Sequence, residues 1–256
     1  MTISKQRVVV TAGAAGIGLA TAQALLAAGA QVYICDIDES SLTSALENNP
    51  GLRGALADVG DPQSVEAFFT RVLNDFGTVD VLVNNAGIGG PRAKVEDIDY
   101  SDWDACMRIN LSGMFYCVKQ VVPGMKAQGR GCIINISTAS AKTGLPSRTP
   151  YVASKVGVLG LTHNLARELG ESNIRCNAIL PGLMDNPRGR GLVSNFAKEN
   201  TLSEAEAETE FLKYVSLRTW IQPSEVAQVA CFLASDQARH ITAQEIAVDG
   251  NCEWEQ

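Results

Sequence analysis

Tyr151 and Lys155 stand four residues apart in the segment YVASK. On a helix that spacing puts both side chains on one face. A phenol is ordinarily protonated at neutral pH, and a neighbouring ammonium favours its phenolate form. Such a pair can take the proton from an alcohol or return one to a carbonyl oxygen. A second chemistry lies near the start of the chain, in Thr11-Ala12-Gly13-Ala14-Ala15-Gly16-Ile17-Gly18. Glycines at 13, 16 and 18 let a backbone turn sharply and approach a pyrophosphate closely, and a helix opening there offers it unpaired N–H groups. The next apolar run ends in Asp36, 18 residues after Gly18. A carboxylate at that point can accept both hydroxyls of an adenine ribose and would repel a 2′-phosphate. No Arg or Lys stands at 12–18 or 37–40 to welcome that phosphate. The expected cofactor is therefore NAD (NAD⁺/NADH), preferred over NADP.

These residues need elements to position them. Short apolar runs alternate with longer amphipathic segments, the pattern of a parallel sheet with crossover helices. Strands are predicted at 7–11, 31–36, 53–57, 79–84, 131–136, 174–179 and 244–248. Helices are predicted at 16–29, about 39–48, 61–76, about 103–127, 151–170 and 223–234, with Asp61 capping and Pro62 opening the third. Pro123 and Gly124 should disturb the end of the fourth. The expected fold is one α/β domain over 1–256, a Rossmann-type doubly wound parallel sheet of about seven strands. Residues 186–216 are polar and long for a connection inside a compact domain, and read as a substrate lid or, failing that, a plain exposed helical pair.

Composition removes other classes. The chain has 256 residues, 46% hydrophobic and 19% charged, which is too apolar for a disordered chain. Its net charge of −7 gives no general attraction to nucleic acid or an anionic membrane, so neither is an expected partner. No run of about 18 apolar residues predicts a membrane span. Residues 1–10 lack the pattern of a secretory signal, so a cytoplasmic protein is expected. The seven cysteines are scattered without a Cys-x-x-Cys pair and read as reduced, mostly buried thiols. His163 and His240 are distant and read as structural, so no metal is expected.

Further segments join the two chemistries: Asp58-Val59 after the third strand, Asn84-Asn85-Ala86-Gly87 after the fourth, and Asn110 in RINLSG. A Ser/Thr cluster follows at 137–140, and Pro181-Gly182 follows the sixth strand. In this order and spacing, the chain resembles the classical short-chain dehydrogenases/reductases over essentially its whole length. The resemblance implies an oxidoreductase that moves hydride between nicotinamide and a secondary alcohol or ketone, and a homotetramer. It implies that Tyr151 is the acid/base, that Lys155 binds the nicotinamide ribose, and that Asn110 holds a water in a proton relay to Lys155. The cofactor would meet Gly13, Gly16, Ile17 and Gly18 at its pyrophosphate, and Asp36, Ile37, Asp58 and Val59 at its adenosine. Asn85, Ala86 and Gly87 would line the ribose side, and Pro181, Gly182 and Met184 the carboxamide.

Three positions depart from the family pattern. Ala12 stands where the family usually has Gly, which is tolerable provided its backbone needs no positive φ. Thr138 stands 13 residues before Tyr151, where a serine usually polarises the carbonyl; it is the expected donor, with Ser140 as the alternative. Asn186 replaces a threonine after the Pro-Gly turn, a position that could still touch the cofactor.

The substrate is less legible. Arg148, three residues before Tyr151, and Arg188 and Arg190 in the lid could hold an anionic group. With Ser140, Arg148 and Arg188 as contacts, a small anionic or polyol-type molecule is expected. Trp254 in the tail could cover a subunit interface, whereas Trp103 and Trp220 read as packing. Two rivals remain, a 3-oxoacyl-type ketoreductase and a catalytically idle NAD-binding scaffold or sensor.

Overall fold

The computed structural model describes residues 3–253, and within them not the side chain of Arg188. Seven strands form one parallel sheet: β1 (Arg7–Thr11), β2 (Gln31–Asp36), β3 (Arg53–Leu56), β4 (Val81–Asn84), β5 (Gly131–Ile136), β6 (Ile174–Pro181) and β7 (Glu245–Val248). Their spatial order is β3-β2-β1-β4-β5-β6-β7, with every neighbouring pair parallel. The central strands are apolar throughout because both faces are covered by helices. Val8, Val10, Ile34, Val83 and Ile134 belong to one buried layer, and Val9, Leu82 and Ile133 to the other.

The first half winds outward from β1 through α1 (Gly16–Ala27), α2 (Glu39–Asn48) and α3 (Pro62–Phe76). The chain then crosses to β4, so the order reverses between β1 and β4 and opens a crevice at their C-terminal ends. Asp38 caps α2 by accepting from the Ser41 N–H, and Asp61 caps α3 by accepting from the Gln63 N–H. The first turn of α1 has neither a side-chain cap nor an acidic residue.

The predicted helix at 103–127 is helical from 100 to 128 but is not one regular helix. α4 (Tyr100–Met107) passes into a π turn over Arg108–Ser112 and then into α5 (Gly113–Gln128). Pro123 does not end it; α5 runs on until Gly129 takes a left-handed φ of 66°. A π turn inserts one extra residue and re-aims the side chains around it, and the buried Asn110 sits at its centre.

After β5 come a short α6 (Ser140–Thr143) and the long α7 (Thr149–Leu169). The segment expected to be a lid or an exposed helical pair folds as α8 (Pro187–Asn200) and α9 (Glu204–Leu212). Both helices are capped locally, α8 by Asn186 and α9 by a Ser203–Glu206 capping box. They enclose a small core of their own, including Val193, Ala197, Ala207 and Trp220, with the Phe196 and Phe211 rings edge to face at 5.2 Å. α10 (Pro223–Ala234) then packs beside α1.

Ala12 does not meet the condition set by its sequence position. Its φ is +48°, in the region that favours glycine. The turn requires it because the chain must double back tightly: a Cβ on Gly13 would lie 2.5 Å from Ile34, and one on Gly18 would strike the Ala12 carbonyl oxygen. All seven cysteines are free and buried, and burial pushes the Cys35 thiol up to about 12. No helix of the described residues is long and apolar enough to cross a membrane.

Candidate active site

A cleft of about 460 Å³ runs along the C-terminal ends of the strands. At one end are Ala15, Gly16, Ile17 and Asp36; at the other are Thr138, Ser140, Tyr151 and Lys155. Asn85, Gly87, Pro181, Gly182 and Met184 line it between and beside them.

The crevice is held by hydrogen bonds between β1 and β4. The Thr11 hydroxyl accepts from the Asn85 and Ala86 N–H groups, both at 3.0 Å. The Asn85 amide donates to the Thr11 and Ala12 carbonyls at 3.1 and 3.0 Å. Beneath the cleft, Asn84 donates to Asn135, which donates to Thr162, each at 2.9 Å in a buried chain that fixes α7 on the sheet. The large majority of polar groups in a dry interior are paired in this way.

Tyr151 and Lys155 lie in the first turns of α7, and Pro150 beside them favours the helix start. Lys155 is 4% exposed, and its ammonium donates to the Ile136 carbonyl at 2.8 Å. The Ser137 hydroxyl donates to the Lys155 carbonyl at 2.9 Å, locking the end of β5 onto α7. Asn110 is fully buried. Its side-chain oxygen accepts from the Ile88 N–H at 2.7 Å, and its amide donates to the Ile88 carbonyl and to the Ser154 hydroxyl, both at 2.9 Å. Ser154 in turn donates to the Tyr151 carbonyl at 2.7 Å. Gly87 brings these parts together: a Cβ there would lie 3.1 Å from the Lys155 Nζ and 3.2 Å from the Asn110 Oδ1.

Thr138 and Ser140 are both 8% exposed and both line the cleft. The Thr138 hydroxyl oxygen faces the Ser140 N–H at 3.4 Å, at the start of α6. Asp36 accepts from the Ala14 and Asp38 N–H groups at 3.1 and 3.2 Å, which aims the end of β2 at the glycine turn.

Other expected residues take different places. Gly13 and Gly18 shape the turn without lining the cleft, and Ala86 is buried behind it. Ile37 is 71% exposed. Asp58 and Val59 lie outside the cleft lining; Asp58 accepts from the Gly60 N–H at 2.8 Å and faces the Arg108 guanidinium at 3.6 Å.

The arginines expected as a clamp take separate places. Arg148 does not line the cleft; its guanidinium lies over the Tyr151 ring, 5.7 Å from the centroid. Arg190 is engaged within the lid, bound to Asp185 at 2.7 Å and Glu208 at 2.6 Å and stacked 4.2 Å over Trp220. The Arg188 side chain and Trp254 lie outside the described residues. His163 is paired with Glu245 at 3.0 Å, away from the cleft.

Sequence reasoning missed Ser154, whose pairing with Asn110 depends on the π turn. It also missed Leu145, Leu183, Leu192 and Cys252 as cleft walls. Their apolar character is an ordinary core signal, so no local pattern marks them.

Comparisons with known proteins cover nearly the whole chain. A family model described as enoyl-(acyl carrier protein) reductase matches residues 12–251. The chain is 38% identical over 245 residues to the 3-oxoacyl-acyl-carrier-protein reductase FabG of Thermotoga maritima, covering 94% of this chain and 95% of that protein. It is 35% identical over 249 residues to the 7alpha-hydroxysteroid dehydrogenase of Bacteroides fragilis, covering 95% and 92%. The crystal structure of a single-substitution variant of the actinorhodin polyketide ketoreductase with NADPH superposes with a TM-score of 0.91 at 33% identity, covering 96% of each chain.

Proposed function

Because this chain belongs to the short-chain dehydrogenase/reductase family, oxidoreductases that use a nicotinamide cofactor, we propose that it moves hydride between NAD and a secondary alcohol or ketone. The observation that carries this reading is one continuous cleft with Asp36 at one end and Tyr151 and Lys155 at the other.

The residues present fit a dinucleotide. The uncapped, acid-free start of α1 leaves its N–H groups for an anion. Gly16 has a φ of +53° and open space where a Cβ would stand, so backbone can approach a phosphate there. When bound, the cofactor supplies or accepts the hydride. Tyr151 gives a proton to the substrate oxygen in reduction and removes it in oxidation. Thr138, with Ser140 as the alternative, donates a hydrogen bond to the same oxygen. Lys155 places a positive charge beside Tyr151, and Asn110 acts from behind as a positioning residue through Ser154.

Asp36 supports NAD over NADP. It lies at the cleft, and no cation occupies 12–18 or 37–40 to pair with a 2′-phosphate. The actinorhodin ketoreductase structure contains NADPH, so the cofactor comparison also separates the second reading. The likeness to the Thermotoga reductase favours that second reading, a 3-oxoacyl-type ketoreductase. A cytoplasmic location fits the seven buried free thiols. A homotetramer fits the exposed apolar side chains of Tyr100, Trp103 and Phe115.

The test is reduction of a ketone panel, acetoacetyl thioesters included, with NADH and NADPH in parallel. NADH should serve better, and Asp36→Ala should narrow the gap. Tyr151→Phe should lower kcat by about 10²–10⁴-fold while NADH still binds. Thr138→Ala should lower kcat about 10²-fold or more; full activity there with loss in Ser140→Ala would move the donor role to Ser140. Turnover of thioesters alone, with NADPH, would establish the second reading. A fully active Tyr151→Phe enzyme would refute the mechanism.

A further inference from the structure

Leu145, Leu183, Leu192 and Cys252 also line the cleft, and Leu183 and Cys252 share a buried cluster with Ala139, which stands between Thr138 and Ser140. Leu192 comes from the lid helix α8, and Cys252 from the tail after β7. The tail is held in place on two sides. Asp249 packs on the Pro-Gly turn so closely that a Cβ on Gly182 would lie 2.6 Å from its Cα. The Ser216 N–H donates to the Asn251 carbonyl at 3.0 Å, the Leu217 N–H to the Gly250 carbonyl at 3.1 Å, and the Glu253 N–H to the Tyr214 carbonyl at 2.8 Å. Residues 214–217 directly follow α9, so tail and lid form one wall. Cys252 is 6% exposed, and burial, reinforced by the Asp249 charge, pushes its thiol up to about 11. At neutral pH it is a small apolar surface.

Among the described side chains, the cations near this wall have partners of their own, and the Arg148 guanidinium lies over the Tyr151 ring, outside the cleft lining. Among the described residues lining the cleft, Lys155 is the cation, and it donates to the Ile136 carbonyl at 2.8 Å. Arg190 is held between Asp185 and Glu208. The Asn186 side-chain oxygen accepts from the Gly189 N–H at 2.8 Å to cap α8. A charged group on the far side of a substrate would leave water to meet leucine side chains and a neutral thiol, which is unfavourable without a partner.

Resting on the oxidoreductase reading above, we propose that the substrate body beyond its reacting carbon is uncharged and apolar, and that Cys252 and Leu192 limit its size. This reverses the anionic substrate expected from the arginines.

The test uses three ketones: 4-methylcyclohexanone, 4-oxocyclohexanecarboxylate and 4-phenylcyclohexanone. Calorimetry measures the affinity of each for the NAD⁺-loaded protein, where the ketone cannot turn over, and NADH consumption is followed separately. The methyl ketone should bind about tenfold or more tightly than the carboxylate. Cys252→Leu should weaken the phenyl ketone relative to the methyl ketone, and Leu192→Ala should strengthen it; the second variant decides if the first fails to fold. A methyl ketone that binds no better than the carboxylate, whether both bind or neither does, overturns the inference. Phenyl-to-methyl ratios unmoved in Leu192→Ala overturn the size limit. Tight, selective binding of the neutral ketones with no NADH consumed would leave the inference standing and remove the oxidoreductase reading instead.

Discussion

At the scale of single residues, Ala12 concentrates a conflict between local preference and site geometry. Its φ of +48° costs an L residue about 1–2 kcal/mol. Glycine would remove that strain but has more freedom to lose on folding, by about 0.4–1 kcal/mol. Ala12→Gly should therefore raise stability by about 0.5–1 kcal/mol, measured by urea denaturation; an unchanged or lower midpoint would mean that the alanine methyl's packing outweighs the strain. The sequence made Tyr151, Lys155, Asp36 and Gly16 legible because each is a chemical type at a defined offset from a strand or helix end. It did not make the left-handed state of Ala12 legible, since that follows from where Gly13 meets Ile34 and Gly18 meets the Ala12 carbonyl. The placement of the Arg148 side chain was hidden for a related reason. Sequence proximity to Tyr151 is real, but the side chain lies over the Tyr151 ring and not along the cleft lining.

At the scale of elements, strand ends and lid contacts do the positioning. Periodicity located every strand but could not reveal the π turn at Arg108–Ser112, because no cap, Pro or other breaker in RINLS marks it and the chain stays helical on both sides. Helices α8 and α9 are joined by Arg190, which binds Asp185 before α8 and Glu208 on α9 while stacked on Trp220. Arg190→Ala should loosen that junction, raising the KM for the ketone more than it changes kcat. It should also speed proteolysis within 186–216. Equal cleavage rates for variant and parent would show that the small lid core suffices without it. At the opposite end of the sheet, Asp80 joins the starts of three strands. It accepts from the Arg7 backbone at 2.9 Å and side chain at 2.7 Å, and meets Arg130 at 3.3 Å. Burial pushes its carboxyl up, but the Arg7 hydrogen bonds and the two arginine charges together hold it below the usual range. A depressed carboxyl contributes stability above its unfolded pKa of about 3.9 and loses it as pH falls through the lower native value. Asp80→Asn should cost about 2 kcal/mol at pH 7. That difference from the parent should hold down to about pH 5 and shrink below pH 4. A difference that stays constant down to pH 2 would mean that the hydrogen bonds, not the charge, provide the effect.

At the scale of the whole molecule, the order β3-β2-β1-β4-β5-β6-β7 opens the crevice, and every cleft residue after β1, β4, β5 and β6 follows from it. This level was legible because alternating strands and helices leave few topologies once crossovers are right-handed. The outer surface was not legible in the same way. Tyr100 is 91% exposed, Phe115 50% and Val156 45%, on α4, α5 and α7, and Trp103 beside Tyr100 on α4 is exposed as well. α4 packs against α7, so these side chains belong to adjoining helices on one flank of the sheet. An apolar pattern treats such residues as ordinary core candidates, and only the folded chain reveals that none of the described residues covers them. Large apolar groups gathered on a surface are costly to leave in water and mark contact sites. A second copy of the chain would bury them against themselves in a self-complementary interface. Since Lys155 and Asn110 lie on or against the same helices, assembly would also stiffen the cleft end of α7. Sedimentation should give a tetramer for the parent, and Phe115→Glu with Tyr100→Glu should give smaller particles. Their specific activity should fall on dilution where the parent's does not. A parent that sediments as a monomer at micromolar concentration would rule out the assembly and leave that flank for a different partner.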